Sequence, residues 1–506
     1  MSEVGKTSIK LTLDPAVINP SHKPLFSLGS PAARGSAKPS FTTDQAATHL
    51  TRSGSRFHDR NGDRKMDVSF RLDGFNEQQK HCARRALQSW QDVAGIRFQE
   101  NTHGPDGSIQ LTGSNRMSSG VAWGATRQNP VARAMIGTQQ PSGALKIGSY
   151  FTNLLVHEIG HCLGLAHPGE YNGSGSYERN AGFAQDTRAG SVMSYWSERK
   201  QPGHDFKNMQ PSAPMMYDIA AIQKLYGANL KTRNTDTTYG FNSNTEREAM
   251  SLTSARDSAV FCVWDGGGND TLDFSGYRQN QNINLNAESF SDVGGMKGNV
   301  SIAKGVTLEN AVGGAGNDLL TGNEANNRLK GGAGADRLRG GGGADTFVYD
   351  KVADSTPLNA DLILDFTSGT DKVDVSGAMK EAGIKALNFT DRFSGRAGDA
   401  VLSHDPKTGR SSLAIDMTGS GKADLLLASQ GEMKSTDILG GDQTPPPTPR
   451  PTPRPGPCPV LPRPAPEVGM FARLMNVIND ALTAIQPLLQ MFDKFLGLFS
   501  GRELRP

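Results

Sequence analysis

The sequence predicts two folded domains in succession, an α+β domain and then an all-β domain that forms a parallel β-roll. A chain of 506 residues is long enough for more than one domain. The α+β domain is predicted from a histidine-containing helical motif at residues 157–167, which lies among other helical and β-like segments. The β-roll is predicted from glycine-rich repeats of nine residues between 313 and 348.

Changes in composition indicate where these domains begin and end. Residues near the start are rich in Pro, Ser, Gly and Lys and lack periodicity. A dense proline run begins after Thr444, and such a run is typical of an extended spacer. The predicted order is a flexible leader or propeptide at 1–40, the α+β domain at 41–232, the β-roll domain at 233–440, a Pro-rich linker at 441–468 and a C-terminal amphipathic helix at 469–506.

Residues 157 to 167 form the pattern H-E-x-x-H-x-x-G-x-x-H. His157 and His161 are four residues apart, so a helix presents both imidazoles on one face. Gly164 can adopt a conformation that ends the helix and reverses the chain, which returns His167 towards the first two histidines. Three neutral imidazoles and one water make an open catalytic zinc site, whereas a structural zinc has four protein ligands.

A second motif supports zinc against a chance match. A bare H-E-x-x-H occurs in many helices that bind no metal, but the longer pattern constrains five positions. Downstream, Ser191–Trp196 resembles the Met-turn of the metzincins, which lies under the zinc. Alone this segment could be an ordinary turn, but its position after the histidine motif favours a metzincin-like domain with one catalytic Zn²⁺.

The other elements of the first domain are predicted from spacing. Apolar residues at helical intervals predict helices over Phe75–Val93 and Met216–Tyr226, and Ser108–Thr112 is a β-like run. The segment Asp59–Asp63 begins like a calcium-binding loop. However, Arg64 replaces the glycine that such a loop requires and no glutamate follows at the twelfth position, so we expect an exposed turn.

The glycine-rich region repeats with a strict nine-residue period from 313 to 348, and a separate copy begins at Asp265. Each block has Asp or Asn sixth and a large apolar residue eighth, the pattern of a calcium-binding parallel β-roll. A disordered glycine-rich linker is the alternative, and the strict period disfavours it. In the second block Asn323 and Asn327 replace Gly and Asp, so we expect weak calcium binding there.

The chemistry of the repeat favours Ca²⁺. Glycine turns expose carbonyl oxygens and each aspartate adds a carboxylate, so stacked turns form an all-oxygen cage. The eighth residues stack into a thin apolar core, and calcium should be needed for folding because such a core is small. The repeat residues predicted to bind calcium are Gly314, Gly316, Asp318, Gly331, Gly332, Gly334, Asp336, Gly340, Gly341, Gly343 and Asp345.

Charge, cysteine content and hydropathy exclude several classes of protein. The chain has 53 basic and 51 acidic residues, so we expect no nucleic-acid partner. Its four cysteines are far apart and imply no disulfide framework. Residues 1–20 contain no apolar signal-peptide core, and no segment has the length and apolarity of a membrane span. We expect a soluble chain whose export, if any, uses a route other than a Sec signal peptide.

The last segment carries apolar residues at helical spacing from Phe471 to Leu496, with Pro487 expected to kink the helix. Three alternatives stay open for it: docking on a partner, contact with a membrane, or folding back onto the same chain.

With the zinc motif, the Met-turn and the nonapeptide repeats in one chain, the sequence resembles the serralysins, which are secreted bacterial metzincin endopeptidases. The resemblance extends from about Phe41 to Leu439 and includes stretches such as His167–Tyr171 and Asp218–Ala228. It implies a zymogen with a short propeptide, a monomer that cleaves proteins or peptides, and export by type I secretion machinery. The chain departs from the family in a repeat run one nonapeptide shorter and in about 67 residues beyond Leu439.

The resemblance also implies a role for individual residues. His157, His161 and His167 would hold zinc, and Glu158 would be the general base. Tyr195 would bind zinc at rest and move aside to stabilise the oxyanion, above a floor formed by Met193. The further calcium ligands implied by the resemblance are Arg233, Thr235, Thr237, Asp265, Gly267, Gly268, Asp270, Thr307, Glu309, Asp354 and Asp361.

Elementary chemistry is consistent with that function. Zinc lowers the pKa of a bound water and polarises a carbonyl, and the Glu158 carboxylate can reach that water. Tyr195 adds a donor where negative charge develops. We therefore expect a secreted zinc endopeptidase of extracellular proteins. The alternative is a calcium-dependent binding or toxin-like protein that is targeted by its helical tail, with proteolysis secondary.

Overall fold

The structure is a computed structural model that describes residues 38–139 and 145–440. The predictions for residues 1–37, and for the linker and helical tail from 441 to 506, lie outside the described residues. The helices are α1 (Thr43–Leu50), α2 (Glu77–Val93), α3 (Tyr150–Cys162), α4 (Tyr177–Asn180), α5 (Met216–Tyr226) and α6 (Ser376–Ala382).

The strands of the described residues are, in chain order, β1 (Asp67–Asp73), β2 (Arg97–Glu100), β3 (Gly107–Ser114), β4 (Gly120–Trp123), β5 (Val131–Gly137), β6 (Thr238–Gly240), β7 (Phe261–Val263), β8 (Thr271–Asp273), β9 (Asn282–Asn284), β10 (Phe290–Ser291), β11 (Val300–Ile302), β12 (Asn310–Val312), β13 (Leu319–Thr321), β14 (Arg328–Lys330), β15 (Arg337–Arg339), β16 (Thr346–Val348), β17 (Asp361–Ile363), β18 (Lys372–Asp374), β19 (Asn388–Phe389), β20 (Asp399–Asp405), β21 (Arg410–Asp416), β22 (Leu425–Gln430) and β23 (Ile438–Leu439). Strands β6 to β19 have only two or three residues each, whereas β20 to β22 have six or seven.

The chain forms two compact units. The first runs to Thr232 and also includes Glu246–Trp264 and Ala287–Val306. The second consists of Arg233–Thr245, Asp265–Asn286 and the chain from Thr307 onwards. The chain passes to the second unit at Arg233 and then returns to the first unit twice.

The first unit is α+β. Its five-stranded sheet has the order β2-β1-β3-β5-β4, and only the edge strand β4 runs antiparallel to its neighbour. Helix α2 begins at a capping box on Asn76 and buries Ala83, Leu87 and Trp90 at helical spacing. The Trp90 indole donates to the Val156 carbonyl of α3 over 3.1 Å. The helix with the histidine motif is therefore packed into the core along its length.

The second unit is a β-roll of two mainly parallel sheets. One has the order β23-β18-β16-β14-β12-β8-β6, and the other ends in β22-β17-β15-β13-β9. Successive repeats alternate between the sheets, so the eighth residues point inwards from both. Leu320 and Leu338 pair in one sheet, Leu329 and Phe347 pair in the other, and all four are fully buried. This arrangement is the thin apolar core that the nine-residue period predicts.

Candidate zinc site and calcium-binding turns

Helix α3 and the loop after it bring the three histidines together. Ser149 caps the helix by accepting from the Thr152 amide, and Gly164 ends it with a φ of +105°. The Nε2 atom of His167 lies 3.0 Å from that of His161 and 3.3 Å from that of His157. The sequence motif therefore produces the convergence that was predicted from it.

Each imidazole is oriented by a backbone carbonyl. The Nδ1 atoms of His157, His161 and His167 lie 2.7–2.8 Å from the carbonyls of Val192, Leu165 and Tyr171, respectively. A carbonyl only accepts, so each Nδ1 carries the proton and each Nε2 presents a lone pair to the other two. Tetrahedral zinc with Zn–N bonds of about 2.0–2.1 Å would separate its nitrogens by about 3.4 Å. The three nitrogens fit that ion.

Burial keeps the three rings neutral. It lowers the pKa of His161, lowers that of His157 well below 6.5, and lowers that of His167 to about 4. Because their pKa values are lowered, the three imidazoles are neutral at neutral pH. Neutral imidazole is the form that binds a metal.

Glu158 lies beside the histidines and is buried. Its Oε2 atom has no hydrogen-bond partner among the described residues, and burial raises its pKa to about 8. Gly120 of the edge strand packs directly on this side chain, because a Cβ atom there would lie 2.4 Å from the Glu158 Oε1 atom. The carboxylate is thus held at the wall of an open cleft of about 580 Å³.

Tyr195 and Met193 complete the site. The Tyr195 ring lies 4.5 Å from the His167 ring between centroids, and its hydroxyl accepts a long, 3.4 Å hydrogen bond from the Gly173 amide. Met193 is fully buried, and a Cβ atom on Gly160 would come within 2.6 Å of its sulfur. Met193 therefore lies directly against α3 between the first two histidines.

In the second unit, the predicted calcium ligands around Asp270 meet in one cluster. Thr237 donates its amide to Asp270 over 2.8 Å, and Asp270 donates its own amide to Glu309 over 2.8 Å. A Cβ atom on Gly268 would lie 2.6 Å from the Thr235 carbonyl oxygen, which shows how closely the two turns approach. Asp265 accepts from the Tyr239 hydroxyl over 2.7 Å and from the Gly267 amide over 2.6 Å.

Mutual burial of these carboxylates is unfavourable without a cation. Burial and the neighbouring Asp265 raise the pKa of Asp270, and burial raises that of Glu309 to about 7. The Asp270 Oδ2 atom has no hydrogen-bond partner among the described residues.

Of the other residues predicted to bind calcium, Thr307 is exposed, and the Arg233 guanidinium donates to the Tyr239 hydroxyl over 3.0 Å.

A second carboxylate cluster contains Asp336, Asp354 and Asp361. Asp361 accepts from the Asp336 amide over 2.8 Å, and burial raises the pKa of all three groups. The Oδ2 atoms of Asp336 and Asp361 lack hydrogen-bond partners within the described chain. A buried carboxylate oxygen without a donor is a good ligand for Ca²⁺, so these residues fit the ion.

The repeat glycines allow the turns to stack. Gly332 has a φ of +94° and Gly334 a φ of +137°, and a Cβ atom on either would come within 2.2 Å of the carbonyl oxygen of Gly314 or Gly316. Only glycine permits both that conformation and that approach.

The second block differs, as its asparagines suggested. The Asn327 amide group donates to the carbonyls of Leu308 and Glu309, over 3.4 Å and 3.1 Å. Asn323 donates to the carbonyls of Leu285 and Leu308. At this turn side-chain amides therefore donate to carbonyl oxygens, at positions where the other blocks carry glycine and aspartate.

The chain matches two protein-family models. One is described as Peptidase M10 serralysin C terminal and matches residues 228–439, and the other is described as Met-zincin and matches residues 144–249. Metallopeptidase AprA of Pseudomonas marginalis is 47% identical, and the match covers 79% of this chain and 92% of that protein. Serralysin C of Dickeya chrysanthemi is 42% identical, with 79% and 90% covered.

The chain belongs to the serralysin family. It is a zinc metalloendopeptidase with an α+β metzincin-like domain followed by a β-roll, which confirms the predicted family and fold class.

Sequence analysis missed two acids that support the zinc site of this serralysin. Asp218 is fully buried and accepts from the Val192 amide over 2.7 Å and from the Ser191 hydroxyl over 2.6 Å. Asp186 accepts from the hydroxyls of Tyr171 and Ser194. Asp218 thus holds the backbone of Val192, whose carbonyl orients His157, whereas Asp186 holds the side chain of Tyr171, whose carbonyl orients His167. Neither lies at a motif spacing that points to this role.

Two more acids were missed in the β-roll. Asp371 accepts from the Asp345 amide over 3.0 Å, and Asp365 accepts from the amides of Gly340 and Gly341 over 2.9 Å and 3.1 Å. Both follow the last repeat and fall outside the nine-residue period, so the pattern could not reveal them.

Proposed function

We propose that this serralysin-family enzyme is secreted and hydrolyses peptide bonds of extracellular proteins. In this proposal His157, His161 and His167 bind the zinc and Glu158 is the general base. The observation that carries it is the convergence of three neutral Nε2 lone pairs beside a carboxylate without a partner, at the wall of an open cleft. When bound, zinc polarises the scissile carbonyl and lowers the pKa of a water.

Glu158 moves the proton. Its Oε2 atom accepts a proton from the attacking water and delivers that proton to the leaving amine nitrogen. Burial raises its pKa above the usual value for a glutamate, which makes the carboxylate a stronger proton acceptor than an exposed one.

Tyr195 supplies the donor for the developing negative charge. Among the described residues its hydroxyl has one hydrogen-bond partner, the Gly173 amide at 3.4 Å, so a small movement of the ring breaks one long hydrogen bond of the protein. A hydrogen bond from that hydroxyl to the carbonyl oxygen is worth most in the transition state, when charge develops there.

The edge strand β4 supports extended binding of the substrate. Its outer edge is unpaired in the sheet, and Gly120, Val121 and Ala122 line the cleft beside Glu158. A peptide that adds to this edge as a further strand would bring one of its bonds to the site.

Several Ca²⁺ ions stabilise the β-roll in this proposal. The carboxylates of Asp270, Asp336 and Asp361 support it, because each is buried, has a raised pKa and has an oxygen without a donor. We also propose export by type I secretion machinery, as the resemblance implies.

The test is casein digestion by the wild type and by Glu158→Gln, with and without the zinc chelator 1,10-phenanthroline. We expect the substitution to reduce kcat/KM by about 100- to 10,000-fold while zinc content is retained. Glu170→Gln is the matched control, since Glu170 is an exposed glutamate near the cleft. Equal activity of Glu158→Gln and the wild type would refute the mechanism, and a correctly folded wild type without activity would favour the toxin-like alternative.

A further inference from the structure

The third zinc-site histidine is held differently from the first two. His157 and His161 lie on α3, whereas His167 follows the end of that helix. Its loop is hydrogen-bonded to the end of α1 and to the segment that follows: the Ala166 amide donates to the Leu50 carbonyl over 2.8 Å, and the Ser53 hydroxyl donates to the Gly164 carbonyl over 2.9 Å.

Arg52 makes three further hydrogen bonds to this loop. Its Nη1 atom donates to the carbonyls of His167 over 2.6 Å and His49 over 2.9 Å. Its Nη2 atom donates to the Gly169 carbonyl over 3.2 Å and to the Glu170 carboxylate over 3.1 Å. The planar guanidinium offers donors in a rigid fork, so one side chain holds the backbone on both sides of Pro168.

We propose that Arg52 is a positioning residue that holds His167 in place and thereby slows the release of zinc. The inference rests on the proposed role of His167 as a zinc ligand. The helix already restrains His157 and His161, so the opening of the site proceeds by movement of the loop that carries His167. Three hydrogen bonds from one charged group to the loop resist that movement, and the fourth, to the His49 carbonyl, anchors the guanidinium on α1. The Arg52 side chain itself need not touch the metal.

The experiment uses the full-length zinc-loaded enzyme. Zinc transfer to a chromogenic chelator is followed at constant pH for the wild type, Arg52→Ala and Arg52→Lys. Substitution of a residue that supports a metal ligand typically changes metal affinity by about 10- to 100-fold, and we expect Arg52→Ala to release zinc faster by that factor. Arg52→Lys should be intermediate, because one ammonium cannot reach all four acceptors. Excess zinc should restore the kcat of Arg52→Ala with an unchanged KM.

Two controls separate the guanidinium from surface charge. Arg84→Ala removes another arginine that is paired with a glutamate, Glu100, on the same unit. Glu170→Gln removes the ion pair of Arg52 but leaves its carbonyl bonds. We expect both variants to release zinc within about twofold of the wild-type rate, since an exposed ion pair contributes little.

His167→Ala distinguishes failure of this inference from failure of the proposed function. If His167→Ala releases zinc quickly but Arg52→Ala and Arg52→Lys match the wild type or the Arg84→Ala control, the role of Arg52 is refuted. If His167→Ala itself retains zinc at the wild-type rate, the ligand assignment fails, and the inference fails with it. A variant that melts below the assay temperature is replaced by Arg52→Lys, whose release rate decides the outcome.

Discussion

The candidate zinc site and the carboxylate clusters of the β-roll position their polar atoms by different means. At the zinc site the atoms are neutral nitrogens on rings that backbone carbonyls orient, and a packed helix supports two of them. In the β-roll the atoms are carboxylate oxygens that burial forces together, which raises their pKa values. The candidate zinc site can therefore keep its geometry without an ion, whereas we propose that a cation offsets the repulsion between the carboxylates of the roll.

The two regions should therefore respond differently when their metals are removed, and this is the largest effect that we expect. We expect EGTA to unfold the β-roll, because the apolar core formed by its eighth residues is thin. 1,10-Phenanthroline should abolish proteolysis while the far-UV circular dichroism spectrum stays the same. A spectrum that is insensitive to calcium would contradict the comparison, as would loss of the α+β domain on removal of zinc alone.

Tyr195→Phe should reduce catalysis at the candidate zinc site without affecting the β-roll. Loss of one donor to a developing oxyanion typically reduces kcat by about 100- to 1,000-fold, which we expect here with unchanged calcium-dependent folding. Steady-state kinetics on a peptide substrate measures the effect. Tyr177→Phe, which removes a hydroxyl bonded to the Ala184 carbonyl outside the histidine site, is the matched control and should retain activity. A Tyr195→Phe enzyme with full kcat would exclude the hydroxyl from the mechanism.

Acidification should partly replace calcium in the roll. Burial raises the pKa of Asp345 from 3.8 to about 7 and that of Glu309 from 4.5 to about 7. A raised pKa in the folded state means that the folded form binds protons more tightly, so this stability is present below about pH 4 and is lost as the pH rises to about 7. We expect the calcium-free roll to be more stable at pH 5 than at pH 8, as measured by urea unfolding in EGTA. The opposite order would refute the repulsion argument.

The smallest effect is expected at the second repeat. Asn327→Asp removes an amide that donates to two carbonyls and adds a buried carboxylate. We expect a loss of about 1–3 kcal/mol in the free energy of unfolding in EGTA, recovered when calcium is added. Asn326→Asp, at a neighbouring exposed position, is the control. Equal loss with and without calcium would show that the amide does not stand in for the ion.

The catalytic motif could be predicted because its geometry is local. Positions four apart share a helix face, and Gly164 turns the chain, so His157, His161 and His167 converge whatever surrounds them. The repeat could be predicted for a similar reason, since a period of nine places each apolar eighth residue on an inner face. Both features depend on sequence spacing, which is visible without a structure.

The supporting residues could not be predicted in this way. Arg52, Asp186 and Asp218 are far from the histidine motif in the chain, and Asp365 and Asp371 lie outside the repeat period. Each acts through hydrogen bonds to groups that only the tertiary structure brings close, and such contacts leave no residue pattern in a single sequence.

The amino-acid sequence by itself determined the family, the order of the domains and the atoms that converge on the zinc, because helical and nonapeptide spacing are properties of the local chain. Only the tertiary structure decided how those atoms are held. In the tertiary structure the Arg52 guanidinium hydrogen-bonds to the loop that carries His167. The segments 246–264 and 287–306 belong to the first unit. In one turn of the roll, asparagine amides donate to backbone carbonyls. These outcomes depend on contacts between distant parts of the chain, where burial and close approach set the energy.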